Sequence, residues 1–191
     1  MAQLRELLPL LREKCSGMLD QQAIDQIKKA YRNFCLESGY LQQSETVVRS
    51  VDGTILLTPP DQHYIGAIHV VIETKGGKVL DKGVGYKVDS SQNVTIAQGY
   101  DEVHVTYSLV PKLPMDDAID ADDDILQRWP DEIAAGAAAL LRIIPERPWS
   151  NPSLADFYKR DFVKGHREAF QLRVAANDEI QFQPQSTRNF F

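Results

Sequence analysis

The stretch DDAIDADDD, residues 116–124, holds six aspartates in nine residues. Carboxylate oxygens are the ligands that Ca²⁺ and Mg²⁺ take in proteins, so a cation-binding loop is the first chemistry to consider. An EF-hand loop also needs a central glycine and a closing glutamate, and this stretch has neither. The sequence therefore favours a solvated linker ending in a helix N-cap, at Asp123 or Asp124. We call its six acids the acidic run: Asp116, Asp117, Asp120, Asp122, Asp123 and Asp124.

The other reactive residue types occur without catalytic spacing. The four histidines stand singly, and His69 and His104 fall within predicted strands, where we expect half-buried sheet residues. The glycines form no GxxxxGK[ST] or GxGxxG, and no serine lies in a GxSxG setting. Cys15 and Cys35 are far apart and are predicted to be buried thiols. The sequence thus predicts no enzyme activity, no cofactor and no metal site.

Composition and charge are those of a globular chain whose acidity is local. The 191 residues carry a formal charge of −6 and are 43% hydrophobic. Outside the acidic run, the 21 remaining acids (27 minus 6) equal the 21 bases, which argues against gripping nucleic acid through its phosphates. No stretch approaches the roughly 18 apolar residues of a membrane span, and the N-terminus lacks the apolar core of a signal peptide. We therefore expect no membrane association and a location in the cytosol or at the site of assembly.

The elements that would position these residues predict an α+β fold with one domain, residues 1–176, and an extended C-terminal tail, residues 177–191. An amphipathic helix is predicted over 20–38, with Asp20 as its N-cap and Gly39 as its stop. Before it, leucines at helical spacing conflict with Pro9 and Gly17, so that segment stays ambiguous. The helix has one apolar stripe: Ile24, Ile27, Tyr31, Phe34 and Cys35.

Residues 45–110 switch to period two and short apolar runs, which predicts about six short antiparallel strands. TVVRSV and TILL flank the turn VDGT and are expected to form a hairpin. The other strands are AIHVVIE, GVGYKV, VTIAQ and EVHVTYSLV. One antiparallel sheet and a small sandwich both fit this pattern.

Residues 123–176 return to helical period. A short helix precedes Pro130, which suits the first turn of the next helix, and the small residues of AAGAAALL predict that this helix is the most buried. A proline-rich corner follows, and Asn151 begins a last helix that ends near Ala176. Two tryptophan–proline pairs bracket the buried helix, and we interpret them as core pins rather than stacking platforms: Trp129, Pro130, Pro148 and Trp149. The last helix is predicted to turn six residues inward: Leu154, Phe157, Tyr158, Phe162, Ala169 and Phe170.

The tail ends in QFQPQSTRNFF, a polar segment with three phenylalanines. It has too few apolar groups to fold alone, yet each ring left in water forgoes about 1.5–3 kcal/mol of burial. We therefore expect something other than the tail itself to bury these rings. The predicted contact residues are Phe182, Pro184, Arg188, Phe190 and Phe191.

Three stretches carry a family resemblance: LLPLL followed by DQQAIDQIKKAYRNFCLES, then VTYSLVPK, then WPDEIAAGAAALLRIIPERPWSNPSLADFYKRDFVKGHREAF. Over about residues 5–175 the chain resembles the head-to-tail adaptor proteins of tailed bacteriophages, also called connector or head-completion proteins. In that family a helix with a Gly-Ala-rich centre, a Pro-Trp corner and a helix with a central phenylalanine follow one another at this spacing. The β-segment matches least, and the acidic run has no family counterpart.

The resemblance implies a structural virion protein without enzyme activity or cofactor. About twelve sister subunits would form a ring at the neck of the particle, assembled in the cytoplasm of the host bacterium. The ring would lie below the portal protein, extend the DNA channel and dock tail or nozzle proteins. The C-terminal segment would reach the portal or a neighbouring subunit, which would bury the phenylalanines of the tail.

The acidic run has a physical role in such a ring if it faces the channel. A wall that lets DNA slide must avoid the counterion release by which basic surfaces bind phosphates, and carboxylates there would repel DNA without specific binding. The outer rim of the ring is the alternative position for the run.

Two other functions stay open. A tail terminator or another ring-forming neck protein would assemble in the same way but would contact different neighbouring proteins. A small cytosolic ligand-binding domain or hydrolase would instead use a pocket between sheet and helices, lined by Tyr86, His104 or Trp129.

Overall fold

The computed structural model describes residues 3–60, 64–90, 92–97, 99–113, 115 and 121–176. Asp116, Asp117, Asp120 and the predicted tail, residues 177–191, lie outside the described residues. The fold is α+β as predicted, with helices before and after a β-rich segment. Its elements are a 3₁₀ turn Leu4–Leu7, α1 Leu8–Lys14, α2 Asp20–Ser38, β1 Gln42–Val48, β2 Thr54–Leu56, β3 Tyr64–Thr74, β4 Tyr86–Val88, β5 Asn93–Ile96, β6 Glu102–Pro111, α3 Asp123–Arg128, α4 Pro130–Arg142 and α5 Pro152–Ala176.

The ambiguous N-terminal segment is helical. Pro9 lies in the first turn of α1, where its missing N–H would have had no intrahelical acceptor, so it does not interrupt the helix. The chain leaves α1 through Cys15 and turns at Gly17, whose φ is +90°. Leu4, Leu7 and Leu11 are buried in the same core as α2 and α4. The leucine spacing is therefore a core-facing stripe.

The helix α2 buries its predicted stripe completely. Gly39 ends it in the left-handed conformation, with φ of 60°, and the Gly39 N–H donates to the Cys35 carbonyl at 2.9 Å. The prediction of Asp20 as N-cap was wrong by one residue, because Leu19 occupies the cap and Asp20 is the first helical residue. There its carboxylate still complements the helix dipole, and it pairs with Arg12 of α1.

The β-rich segment forms two antiparallel three-stranded sheets, ordered β1-β6-β3 and β2-β5-β4. The predicted hairpin between the first two strands was wrong. The chain does turn back, since the Ser50 N–H donates to the Thr54 carbonyl at 3.0 Å, but β1 pairs with β6 and β2 pairs with β5. Side chains from both sheets share one apolar core, so the small sandwich is the better of the two expected arrangements: Ile55, Ile72, Val94, Val105 and Tyr107.

The helix α2 ties the helical layer to the end of β6. Arg32 Nε donates to the Pro111 carbonyl at 3.1 Å, and Lys28 Nζ donates to the Met115 carbonyl at 3.0 Å. The Tyr31 hydroxyl accepts from the Asp122 N–H at 2.9 Å. Both ends of the segment that contains the acidic run are thus anchored to one helix.

The helix α4 is the buried centre of the helical layer, as its small residues predict, and residues Ala134–Ala138 are all buried. Gly136 lies against the ring of Phe162 and Gly165 lies against Glu132, so α4 and α5 approach closely at two points. The inward orientation predicted for three residues of α5 was wrong. Phe157 and Phe170 are exposed because they lie off the stripe formed by Tyr158, Phe162 and Ala169. Leu154 has the spacing of the stripe but is exposed in the first turn of α5.

Candidate interaction surfaces

A cleft opens at the surface where α2, α4 and α5 diverge, with a volume of about 240 Å³. Its floor is made by small side chains, including the buried Ala30 of α2 and Ala155 of α5. Ile143 stands at its rim and is 65% exposed. We call this feature the three-helix cleft, and its lining is Ala30, Asn33, Gly136, Ala139, Leu140, Ile143, Ala155, Asp156, Lys159 and Phe162.

The cleft follows from the residues that α4 presents to its neighbours. Positions 136, 139, 140 and 143 lie on one side of an α-helix. The ring of Phe162 fills the space beside Gly136, whereas the methyl group of Ala139 is too small to fill the space beside it. The small residues of α4 therefore allow close helix packing at Gly136 and leave the cleft unfilled one turn later, at Ala139. In the sequence, the run AAGAAALL is the one signal that relates to the three-helix cleft. The positions of Asp156 and Lys159 at the edge of the cleft could not be predicted from it.

The size and lining of the cleft limit what it could hold. Sites for drug-sized ligands measure about 300–1,000 Å³, and this cleft is smaller. Its polar groups, Asp156, Lys159 and Asn33, share the lining with apolar side chains. It is suited to one or two apolar side chains of a partner, with a charged contact at the edge.

A second apolar surface lies on the outer side of α5. Phe157 is 56% exposed and meets the ring of Tyr158 edge-on at a centroid distance of 5.5 Å. Arg142 lies over the other ring of this pair, 5.6 Å from the Tyr158 centroid. Leu154 is also exposed, one turn earlier on the helix. The helical layer thus presents large apolar groups to solvent at Ile143 and on the outer side of α5.

A third apolar surface lies in the sandwich, around the connection between β1 and β2. Val51 is fully exposed at 101%, and Val48 is 70% exposed. Leu56 follows on β2 with its side chain outward. These three exposed apolar side chains, within nine residues of the chain, make this segment a candidate interaction site.

The described end of the acidic run is built into the fold. Asp122 is the N-cap of α3, since its Oδ1 accepts from the Ile125 N–H at 2.9 Å. The predicted caps, Asp123 and Asp124, are instead the first two residues of α3. They are exposed there, and their negative charges complement the positive end of the helix dipole.

Asp124 joins α3 to the loop before β1. Its carboxylate accepts from the Tyr40 hydroxyl at 2.7 Å and from Arg128 Nε at 2.8 Å. These two hydrogen bonds hold the pKa of Asp124 below its ordinary value, and the one from Arg128 contributes most. The carboxylate is therefore charged and already engaged at neutral pH, which suits a structural role.

A neighbouring pocket of about 320 Å³ brings two of these acids together with a buried arginine. Arg173 of α5 is 4% exposed and lies over the ring of Phe170, 4.9 Å from its centroid. Asp122, Asp124 and Arg173 all line the pocket. Opposite charges from the end of α5 and the start of α3 therefore line one pocket.

The two tryptophan–proline pairs take different positions. Trp129 is 2% exposed between α3 and α4, with ring centroids 5.3 Å from Phe34 and 4.9 Å from Tyr40. Pro130 begins α4. Pro148 is exposed, and Trp149 packs half-buried against the helical core with an Nε1 that is buried and has no acceptor among the described residues.

The three residues expected to line an enzyme-like pocket are not brought together. Tyr86 is buried in the sandwich core, where its hydroxyl donates to the Val70 carbonyl. Trp129 is buried in the separate helical core. His104 is exposed on β6, and not half-buried as predicted, whereas His69 is partly buried.

Among the described residues, no group of three or more His, Cys, Asp and Glu side chains is placed to hold a metal ion. In the same part of the chain, every helix is too short or too polar to span a bilayer.

Burial raises the pKa of the Cys35 thiol to about 12, so this cysteine is an inert core group at neutral pH. The predicted contact residues of the tail lie outside the described residues: Phe182, Pro184, Arg188, Phe190 and Phe191.

Comparison of the sequence with protein-family models and with curated proteins gives no match.

Proposed function

We propose that this chain is a structural subunit of a tailed-bacteriophage neck, a head-to-tail adaptor whose copies form a ring below the portal. The observation that carries the proposal is the separation of its exposed apolar surfaces. Two lie on the helical layer, at Ile143 and at Phe157, and a third lies on the sandwich, at Val48 and Val51. Large exposed apolar groups favour association with other chains.

Two different surfaces on one chain favour a ring over a simple dimer. A two-fold dimer uses the same patch on both partners, whereas a head-to-tail contact uses two different patches and repeats from copy to copy. Such a contact closes into a ring when the rotation between copies allows it. The resemblance of the N-terminal and C-terminal helical stretches to adaptor proteins supplies the biological setting, about twelve copies between portal and tail.

The charge distribution also suits a DNA channel. The acidity of the chain resides in the acidic run, and the rest of the sequence is balanced. Asp122 and Tyr31 anchor the run beside α2, so its position is fixed relative to the body at that end. We place the run on the channel side, where carboxylates keep DNA from binding to the wall.

Imaging of the assembled particle tests the proposal directly. A tag that adds visible mass, fused to the N-terminus of the full chain, should appear as a ring of density at the capsid vertex between portal and tail nozzle. A ring at the far end of the tail tube would assign the chain to a tail terminator instead. The absence of the tag from purified particles would contradict both assignments.

A further inference from the structure

We propose that the three-helix cleft of one copy binds the aromatic end of residues 182–191 from a neighbouring copy. The inference rests on the proposed function, in which copies of this chain meet in a ring. It names a receptor, the cleft, and an occupant, Phe190 with its neighbours.

The cleft sets the requirements for its occupant. It offers an apolar floor of alanine and leucine, a volume of about 240 Å³ and an opening bordered by Ile143. Asp156 provides a negative charge at the edge and Lys159 a positive one. An occupant that fits is therefore one aromatic side chain on a short segment with a nearby charged group, which Asp156 or Lys159 would complement.

Residues 182–191 meet these requirements in their sequence. Phe190 and Phe191 are large apolar groups in an otherwise polar stretch, and Arg188 precedes Phe190 by two residues. Residues two apart in an extended segment project to the same side, about 7 Å from each other. Phe190 in the cleft would thus bring Arg188 to the edge, where Asp156 is the complementary charge.

The chain is long enough to reach another copy. From Phe162, at the cleft, to Ala176 the helix α5 extends about 21 Å. The 14 residues from 177 to 190 span up to about 46–50 Å when extended. The occupant therefore has more than twice the length needed to return along its own helix, and it can cross to an adjacent body. Because the cleft and the segment are different parts of one chain, their contact between copies is head-to-tail and repeats around a ring.

Two full-length variants separate receptor from occupant. Ala139→Met fills the cleft, and the double substitution Phe190→Ser with Phe191→Ser removes the aromatic groups. Wild-type chains should self-associate with a dissociation constant of about 10 µM to 1 mM, as expected for a single short docking segment. Each variant alone should associate at least tenfold more weakly in sedimentation velocity. A 1:1 mixture should recover association but stop at dimers, because one chain contributes only a cleft and the other only a segment.

Further variants test whether weaker association results from misfolding. Ala175→Met adds the same side chain at an exposed position of α5 and should associate like wild type. Ile143→Arg changes an exposed rim residue and should weaken association as Ala139→Met does. Thermal unfolding of every variant should stay within a few degrees of wild type.

The outcomes distinguish this inference from the proposed function. Variants that associate like wild type would overturn the inference, and a ring at the capsid vertex would leave the function standing. Wild type and mixture that both remain monomeric would also overturn it. A monomeric wild type with a dimerising mixture would overturn it too, because the segment would then bind the cleft of its own chain. Recovery of dimers in the mixture, together with absence of the chain from phage particles, would support the cleft contact and refute the adaptor role.

Discussion

Gly136 of α4 lies so close to Phe162 of α5 that a Cβ at position 136 would stand 2.5 Å from Phe162 Cδ2. This contact sets the distance between the two helices, and it closes one end of the three-helix cleft. Lower on the same pair of helices, a Cβ at Gly165 would stand 2.6 Å from the Cβ of Glu132. The two glycines therefore act as spacers that let α4 and α5 pack directly.

Gly136→Ala should lower the free energy of unfolding by about 1 kcal/mol. The added methyl group overpacks the interface at a cost of about 1–3 kcal/mol, and the better helix propensity of alanine returns about 1 kcal/mol. Urea denaturation measures the difference. The control is the same change in a Phe162→Leu background, where the shorter side chain makes room and Gly136→Ala should become neutral or stabilising. An equal loss in both backgrounds would show that the ring of Phe162 is not the obstacle.

The two tryptophans should respond differently to substitution. Trp129→Ala removes a fully buried ring from between Phe34 and Tyr40 and should cost about 3–5 kcal/mol. Trp149→Phe removes a buried Nε1–H that has no acceptor among the described residues, so its effect should stay within about 1 kcal/mol of zero. Chemical denaturation of both variants checks the contrast. A strongly destabilised Trp149→Phe would mean that the indole nitrogen has a partner in solution.

His166 should make stability fall in mildly acidic solution. Burial lowers the pKa of His166 below its ordinary value, opposed by Glu37 of α2 and assisted by Arg167. A group whose pKa is lower in the folded state contributes stability that is complete above the unfolded pKa, about 6.5, and is lost as the pH falls through the folded value. His166→Gln should therefore lose less stability than wild type between pH 7.5 and pH 5. Melting temperatures across that range test it, and parallel curves for the two proteins would exclude His166 as the source.

Much of the helical layer could be predicted from the sequence because its signals are local. The apolar stripe of α2 and its stop at Gly39 are confirmed, as is the start of α5, where Asn151 Oδ1 accepts from the Leu154 N–H at 3.1 Å. Both predicted N-caps were misplaced by one or two positions. Leu19 rather than Asp20 caps α2, and at α3 Asp122 is the cap among three consecutive aspartates. Phe157 and Phe170 were assigned to the core, although each lies one residue, about 100° of helical turn, off the stripe.

The sheet pairing and the cleft could not be predicted in the same way. Turn residues report that the chain reverses, as at Ser50, but they do not say which strand will be the partner. β1 finds its partner β6 more than fifty residues later, through the shared core. The cleft likewise depends on three helices diverging, and no single helix carries that information. Which surfaces remain exposed, such as Phe157, is a property of the assembled layer.

Phe157→Ser should weaken association between copies while leaving the monomer folded. The ring is 56% exposed and pairs edge-on with Tyr158, so its loss should lower the free energy of unfolding by about 0.5–1.5 kcal/mol. If α5 contributes to the contact between copies, the dissociation constant should rise severalfold in sedimentation equilibrium. Leu172→Ser, at an exposed position near the other end of the helix, is the matched control. Equal effects of both changes would point to general loss of apolar surface rather than to a defined contact.

In the proposed ring, neutralising the first part of the acidic run should increase binding of DNA. Asp116, Asp117 and Asp120 changed together to Asn reduce the formal charge from −6 to −3. A run that lines the channel would then repel phosphates less, and duplex DNA should bind more tightly at 50 mM salt than at 200 mM salt. The control neutralises Glu13, Asp52 and Asp81, exposed acids elsewhere, to the same net charge. Fluorescence anisotropy of labelled DNA compares the two. Tighter binding by the run variant alone supports a channel position, whereas equal binding by both variants would place the acidic run on the outer rim.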